Sequence, residues 1–136
     1  MRIERFRWGD INSVMEIEKE SFQKDFWDGQ EFLKWYERCG EGFLVAKENE
    51  EIIGYVILEV IEPKKGYIRS IAVKEKYRNK GIGKMLINHI VKNFGLEEVS
   101  LHVRAGNGAI DFYRRIGFKE IQRFIGAYPD GEDAIY

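Results

Sequence analysis

The sequence predicts a mixed α/β fold, one sheet with helices on both faces. Three observations predict it. Apolar runs such as "EIIGYVILEVIE" (51–62) read as strands. Two of these runs flank the Glu48–Glu51 turn as a hairpin. Stretches of helical periodicity separate the others, so strand–helix–strand units stand beside that hairpin. The order is βααβββαβαβ(β), a sheet of six or seven strands.

"RIERFR" (2–7) alternates and reads as the first strand. Asp10 is a capping type, and Ile11, Val14, Met15 and Glu18 set the faces of a helix running to about Phe22. "FQKDFWDGQ" (22–30) is an aromatic-rich loop. Asp28 or Gly29 opens a second helix over Glu31–Arg38, which Gly40 ends. "GFLVAKE" (42–48) and residues 51–62 form the hairpin, and "GYIRSIAV" (66–73) is the fourth strand. A glycine loop leads into a helix over Ile82–Asn93, with Ile82, Met85, Leu86, Ile90 and Val91 on one face and Gly95 after its end. "EVSLHVR" (98–104) is a fifth strand, "NGAIDFYRRI" (107–116) a short helix and "GFKEIQRFIGAY" (117–128) a sixth strand. "EDAIY" (132–136) begins a seventh, inside which the sequence ends.

With 136 residues, 44% of them hydrophobic and 14% aromatic, the chain suffices for one packed domain over 1–136. A net charge of −1 argues against a general binder of nucleic acid or membrane surfaces. The single Cys39 excludes an intrachain disulfide and a cysteine-rich metal site, and fits a reducing, cytoplasmic setting. No signal peptide or membrane span is expected, since "MRIERFRWGD" lacks an apolar stretch and no run approaches the roughly 20 apolar residues of a span.

"YRNKGIGKML" (77–86) carries the first specific chemistry. Residues just ahead of a helix leave backbone N–H groups without partners, and the helix dipole adds partial positive charge there. Gly81 and Gly83 let those amides converge on one anion, while Arg78, Lys80 and Lys84 add charge. Two nucleotide patterns fail. A P-loop requires Ser or Thr after Gly-Lys and a glycine five before, but Met85 and Arg78 stand there. A dinucleotide fingerprint requires a glycine three after Gly83, where Leu86 stands.

The flanks resemble the GNAT acetyltransferase superfamily. Arg78-Asn79-Lys80-Gly81-Ile82-Gly83 is similar to its Arg/Gln-x-x-Gly-x-Gly/Ala pyrophosphate loop. "IAVKEKYR" (71–78), "EIIGYVIL" (51–58) and "AIDFYRRIGF" (109–118) resemble its neighbouring segments. Within it, the N-terminal protein acetyltransferases, the RimI-type and NatA/NatE-type catalytic subunits, match best. "LHVRAGNGAIDFYRRIGF" (101–118) and "YPDGEDA" (128–134) carry that likeness.

The resemblance implies a mostly antiparallel sheet splayed between its fourth and fifth strands. It implies acetyl-CoA as cofactor, with its pyrophosphate on the amides of 78–84 and its pantetheine arm along Ile71, Ala72 and Val73. The Val73 N–H then stabilises the developing oxyanion. The substrate implied is the α-amine of a peptide or protein N-terminus, such as a Met-starting chain or a ribosomal protein. At pH 7 roughly a tenth of such amines are neutral, against fewer than about one lysine in a thousand, so a weak base suffices. His102 occupies the position of the NatE-type base, where RimI-type enzymes carry Glu. Tyr67 matches a second base acting through water, and Tyr113 matches the tyrosine facing the CoA sulfur. Phe22 matches a first-residue pocket phenylalanine, to which Phe26 and Trp27 add unless they belong to the core. Tyr128 matches a tyrosine holding the peptide backbone.

The chain departs from the pattern in four places. Gln23 replaces a proline, and Ala127 replaces the first of a tyrosine pair. Asn107 lies six residues before Tyr113 rather than seven, or Gly106 takes the asparagine's place; one residue on a helix is about 100°. The chain also ends at Tyr136, inside the family's last strand. A small-amine or lysine acetyltransferase, and a CoA-binding module without catalysis, are the alternatives. A monomer or homodimer without bound metal is expected.

Overall fold

The computed structural model describes residues 1–22 and 24–136; the Gln23 departure lies outside the described residues. Two compact units divide the chain, Met1–Val99 and Ser100–Tyr136, where the sequence reads as one domain.

In the first unit, β1 (Arg2–Arg5), β2 (Phe43–Glu48), β3 (Glu51–Glu62) and β4 (Lys65–Val73) pair antiparallel in that order. A short β5 (Glu98–Ser100) lies parallel beside β4. Helices α1 (Ile11–Ser21) and α2 (Gly29–Cys39) bring Val14, Ile17, Phe32 and Trp35 into a core with Phe43, Val45, Tyr55, Ile57 and Ala72. Helix α3 (Ile82–Asn93) packs on the opposite face, where a Cβ on Gly54 would stand 3.5 Å from Leu86 Cδ1. Covered on both faces, β3 is buried from Ile52 to Leu58, which explains an apolar run rather than an alternation.

Local chemistry accounts for the ends. Asp28 caps α2, its side chain accepting from the Glu31 N–H at 2.9 Å. The β2–β3 turn holds Asn49 (φ 50°) and Glu50 (φ 67°) in the left-handed region, as a two-residue hairpin of type I′ requires. Asp10 corrects the sequence reading. It stands at the N-cap of α1, but its carboxylate accepts from the Arg7 N–H at 3.0 Å and closes a 3-10 turn over Trp8–Asp10. On α3 the buried residues are Ile82, Leu86, Ile87 and Ile90, while Met85 is exposed. The buried stripe therefore runs one position round from the expected one.

In the second unit, β6 (Val103–Arg104), β7 (Arg123–Phe124) and β8 (Ala134–Ile135) form an antiparallel sheet in the order β6-β8-β7, with α4 (Ala109–Arg115) between β6 and β7. The strand expected over 98–104 is thus interrupted. β5 ends at Ser100, and β6 pairs with β8 through Val103↔Ile135. The strand expected over 117–128 shrinks to Arg123–Phe124, because its partner β8 pairs only Ala134 and Ile135 with it. Among the described residues there are eight strands, where six or seven are expected.

The Gly117–Phe118 signature is a helix stop. Gly117 adopts φ 109°, the Phe118 N–H donates to the Tyr113 C=O at 2.9 Å, and the Gly117 N–H donates to the Arg114 C=O at 3.1 Å. This is the Schellman pair of bonds, and the rings of Phe118 and Tyr113 meet at 5.5 Å as its apolar contact. No helix among the described residues is long and apolar enough to cross a membrane.

Candidate active site

The loop after β4 turns through a 3-10 helix over Glu75–Tyr77, runs extended at Arg78, and enters the left-handed region at Asn79 (φ 63°) and Gly81 (φ 82°). Gly81 is the N-cap of α3 and no side chain caps it. The first intrahelical bond is Met85 N–H to Gly81 C=O at 3.0 Å, so the amides of Ile82, Gly83 and Lys84 precede any intrahelical acceptor. Lys80 and Lys84 are exposed around this end. Arg78 braces the loop: its Nε donates to the Val73 C=O and its Nη2 to Ser21 Oγ, both at 2.9 Å. Behind the loop, Glu51 accepts from Lys74 Nζ and from the Tyr77 hydroxyl, both at 2.8 Å. Lys74 foremost, then Tyr77, lowers the Glu51 carboxyl to about 2.

The edge of β4 follows from its register. Lys74 N–H donates to Ile53 C=O at 2.7 Å, and Gly54↔Val73 and Tyr55↔Ala72 are opposite pairs. Antiparallel pairs alternate in direction, so Ala72 turns its N–H and C=O to β3 while Ile71 and Val73 turn theirs outward. The bond from Arg78 to the Val73 C=O agrees with that parity. Glu97 and Glu98 N–H both donate to Lys64 C=O, at 2.7 and 3.1 Å, so β5 starts level with β4. β5 has 3 residues and β4 has 9, so the Ile71–Val73 end of β4 runs beyond β5. Between Ile57↔Ser70 and Leu58↔Ile68 the register slips, leaving Arg69 as an extra residue in a β-bulge. The Arg69 guanidinium lies 4.3 Å from the Tyr67 ring centre and 4.8 Å from that of Trp35, and bonds Glu59 through Nε at 2.9 Å.

The loop after α1 divides its aromatics. Phe22 packs half-buried against the core. Trp27 belongs to that core too, stacked on Trp35 at 6.0 Å and edge-on to Phe32 at 5.3 Å. Phe26 is 46% exposed and lines an open depression with Glu16, Lys19 and Glu20.

In the second unit, His102 is exposed in the break between β5 and β6, its ring 4.7 Å from Tyr136 and 5.6 Å from Phe124. Tyr128–Pro129–Asp130–Gly131 is a turn closed by Gly131 N–H to Tyr128 C=O at 2.9 Å, and Tyr128 N–H donates to Glu132 C=O at 3.1 Å. Arg104 lies 4.0 Å from the Tyr128 ring centre and bonds Asp130 and Glu132. The Glu132 carboxylate also accepts from the Gly106 N–H at 3.1 Å, which ties the "YPDGE" turn to the start of α4. Asn107 accepts the Ala109 N–H with its Oδ1 at 2.8 Å, a local Asx turn just ahead of α4. Burial pushes the Tyr113 hydroxyl up to about 12.

The acetyltransferase (GNAT) family model matches residues 11–118, from α1 through the Gly117–Phe118 stop. The chain belongs to the GNAT acetyltransferase family. It is 34% identical to an N-alpha-acetyltransferase of Sulfurisphaera tokodaii, over 98% of this chain and 89% of that protein. The structure of Ard1 from Thermoplasma volcanium matches with a TM-score of 0.89 at 25% identity, covering 98% of this chain and 93% of that one. The Escherichia coli ribosomal-protein-S18-alanine N-acetyltransferase matches with a TM-score of 0.83 at 27% identity, covering 98% and 89%.

As a GNAT enzyme this chain is an acetyl-CoA-dependent acetyltransferase. Its own residues fit that cofactor. A Cβ on Gly81 would meet nothing within 4 Å, so the N-terminus of α3 is open to an anion, and its amides and lysines suit a diphosphate. The open edge of β4 offers the Ile71 backbone and the Val73 N–H to an extended arm; Ala72 has its polar groups on β3. The sequence reading missed a buried polar cluster in this acetyltransferase. Glu18, 2% exposed, accepts from the Tyr55 hydroxyl, from Ser70 Oγ at 3.1 Å and from the Trp27 N–H at 3.0 Å. Its signal was legible: a carboxylate standing four residues after Val14 on the apolar stripe of α1.

Proposed function

We propose that this acetyltransferase moves acetyl from acetyl-CoA to the α-amino group of a peptide or protein N-terminus, by direct attack in a ternary complex. The observation that carries this reading is the 34% identity to an N-alpha-acetyltransferase along 98% of the chain. Acetyl-CoA supplies a thioester carbonyl; the amine attacks it, an amide forms and the CoA thiol leaves.

The chain's residues divide the task. Amides of 79–84, with Lys80 and Lys84, hold the diphosphate, and Arg78 keeps their loop in shape. Ile71 and Val73 bind the extended arm, and the Val73 N–H polarises the carbonyl. Asn107 contributes through its side-chain nitrogen, since its oxygen already accepts the Ala109 N–H. His102 takes the amine proton, with Tyr67 as a second base through water. Phe22 and Phe26 line the first-residue pocket, and Tyr128, held beside Arg104, binds the peptide backbone. Tyr113 acts as a hydrogen-bond donor to the departing sulfur. Burial keeps its hydroxyl protonated, so it has a proton to donate toward the departing thiolate.

Peptide-library acetylation read by mass spectrometry tests the proposal. The expected products carry acetyl on the α-amine, with apolar first residues such as Met favoured. Faster turnover of spermidine or an aminoglycoside would assign the enzyme to small amines. Tight CoA binding without thiol release on any peptide would assign it to a binding module.

A further inference from the structure

We propose that Glu18 is a positioning residue that ties the acceptor loop to the cofactor strand. The proposal rests on reading residues 22–28 as the acceptor loop. Glu18 sits near the end of α1, and its C=O already accepts the Phe22 N–H at 2.8 Å, where that loop begins. Its carboxyl joins three further elements. Oε2 accepts from the backbone of Trp27 at 3.0 Å, near the loop's far end. Oε1 accepts from the Tyr55 hydroxyl on β3 and from Ser70 Oγ on β4 at 3.1 Å, and the two hydroxyl oxygens stand 2.8 Å apart. Ser70 directly precedes Ile71, the residue that turns its backbone to the open edge, and follows the bulge residue Arg69.

The cluster is expensive as packing. A buried carboxyl costs free energy unless its oxygens are satisfied, so a core built for packing alone has no need of one. Its partners are neutral hydroxyls and an amide, and Asp25 is a further carboxylate acting on it. The geometry accounts for its presence: one residue holds the start of the loop through its backbone carbonyl, and the loop's far end and the strand beside the proposed thioester through its carboxyl. Three oxygens, Glu18 Oε1, Tyr55 Oη and Ser70 Oγ, share two hydroxyl protons, so the triangle directs its donors onto the carboxylate rather than into the core.

The test uses Glu18→Gln and the milder Ser70→Ala in the full chain. Hydrogen exchange is read for amides 24–28, CoA affinity by calorimetry, and peptide kinetics as KM against kcat. Both variants are expected to speed exchange of the Trp27 amide about tenfold and raise peptide KM by a similar factor, as loss of one buried hydrogen bond allows. CoA affinity and the exchange of β3 stay near wild type. Unchanged exchange at Trp27, or peptide and CoA affinities falling together, would reduce Glu18 to a packing role. Should Glu18→Gln fail to fold, Ser70→Ala decides alone. Should the wild type acetylate no peptide, the acceptor reading falls, while the exchange data still decide whether the clamp exists.

Discussion

On the proposed mechanism, removing the imidazole of His102 leaves a terminal amine to lose its proton unaided. Below the amine's pKa near 8 that step needs a base; above it the amine is already neutral. His102→Ala is therefore expected to lower kcat about 100-fold at pH 7 and less than about tenfold at pH 9. A pH–rate profile parallel to wild type would remove His102 from the mechanism. At this scale, residues whose roles are local were legible in the sequence. Gly81 is an example: a residue before a helix among basic side chains, and its φ of 82° is one that glycine adopts without penalty. Arg78 was legible as a charge but not as a brace, because Val73 and Ser21, its partners, lie 5 and 57 residues away. Asn107 was legible as displaced, and its use on the Ala109 N–H gives that displacement a local cause.

At the scale of elements, the β2–β3 turn offers a clean substitution. Type I′ geometry places Glu50 at φ 67°, where a side chain costs roughly 1 kcal/mol and glycine nothing. Its exposed ion pair with Arg2 is screened by solvent and adds little. Glu50→Gly is expected to raise Tm by about 3 °C in thermal melting. A lower Tm would mean that the ion pair outweighs the turn. Helices were the more legible elements: α2 and α3 lie within two residues of their expected bounds at each end, since capping residues and periodicity are local. Strands in the second unit were not, because a strand lasts only as long as its partner. Residues 117–128 carry apolar side chains suited to a strand, yet β8 pairs with two of them.

For the whole molecule, two carboxylates of opposite sign shape stability against pH. Lys74 and Tyr77 lower Glu51 to about 2 in the folded state. Its contribution is present above the ordinary value of 4.5 and is lost as pH falls from there toward 2. Glu4, beside Lys47, and Asp133, bonded by the Gly126 N–H and Arg123, are also lowered and share that sign. Burial raises Glu18, against the hydrogen bonds from Tyr55, Trp27 and Ser70. Its contribution is present below 4.5 and is lost as pH rises through its folded value. Thermal melting from pH 2.5 to 8 should therefore show an acid limb that Glu51→Gln flattens, and a decline above 4.5 that Glu18→Gln flattens. Identical curves for either variant and wild type would cancel that group's share. Because Glu51 is only half-buried, 1 M salt should also weaken the acid limb.

By itself the sequence determined the succession of strands and helices as far as α3, the glycine turn at 78–84 ahead of that helix and the resemblance to GNAT acetyltransferases. These rest on properties a residue shares with near neighbours: periodicity, capping and the backbone freedom of glycine. Only the tertiary structure decided which groups of β4 face outward, where the strand through His102 breaks, and that Glu18 is buried among hydroxyls. Each of these depends on register and burial between segments far apart in the chain, where a slip of one residue reverses every face.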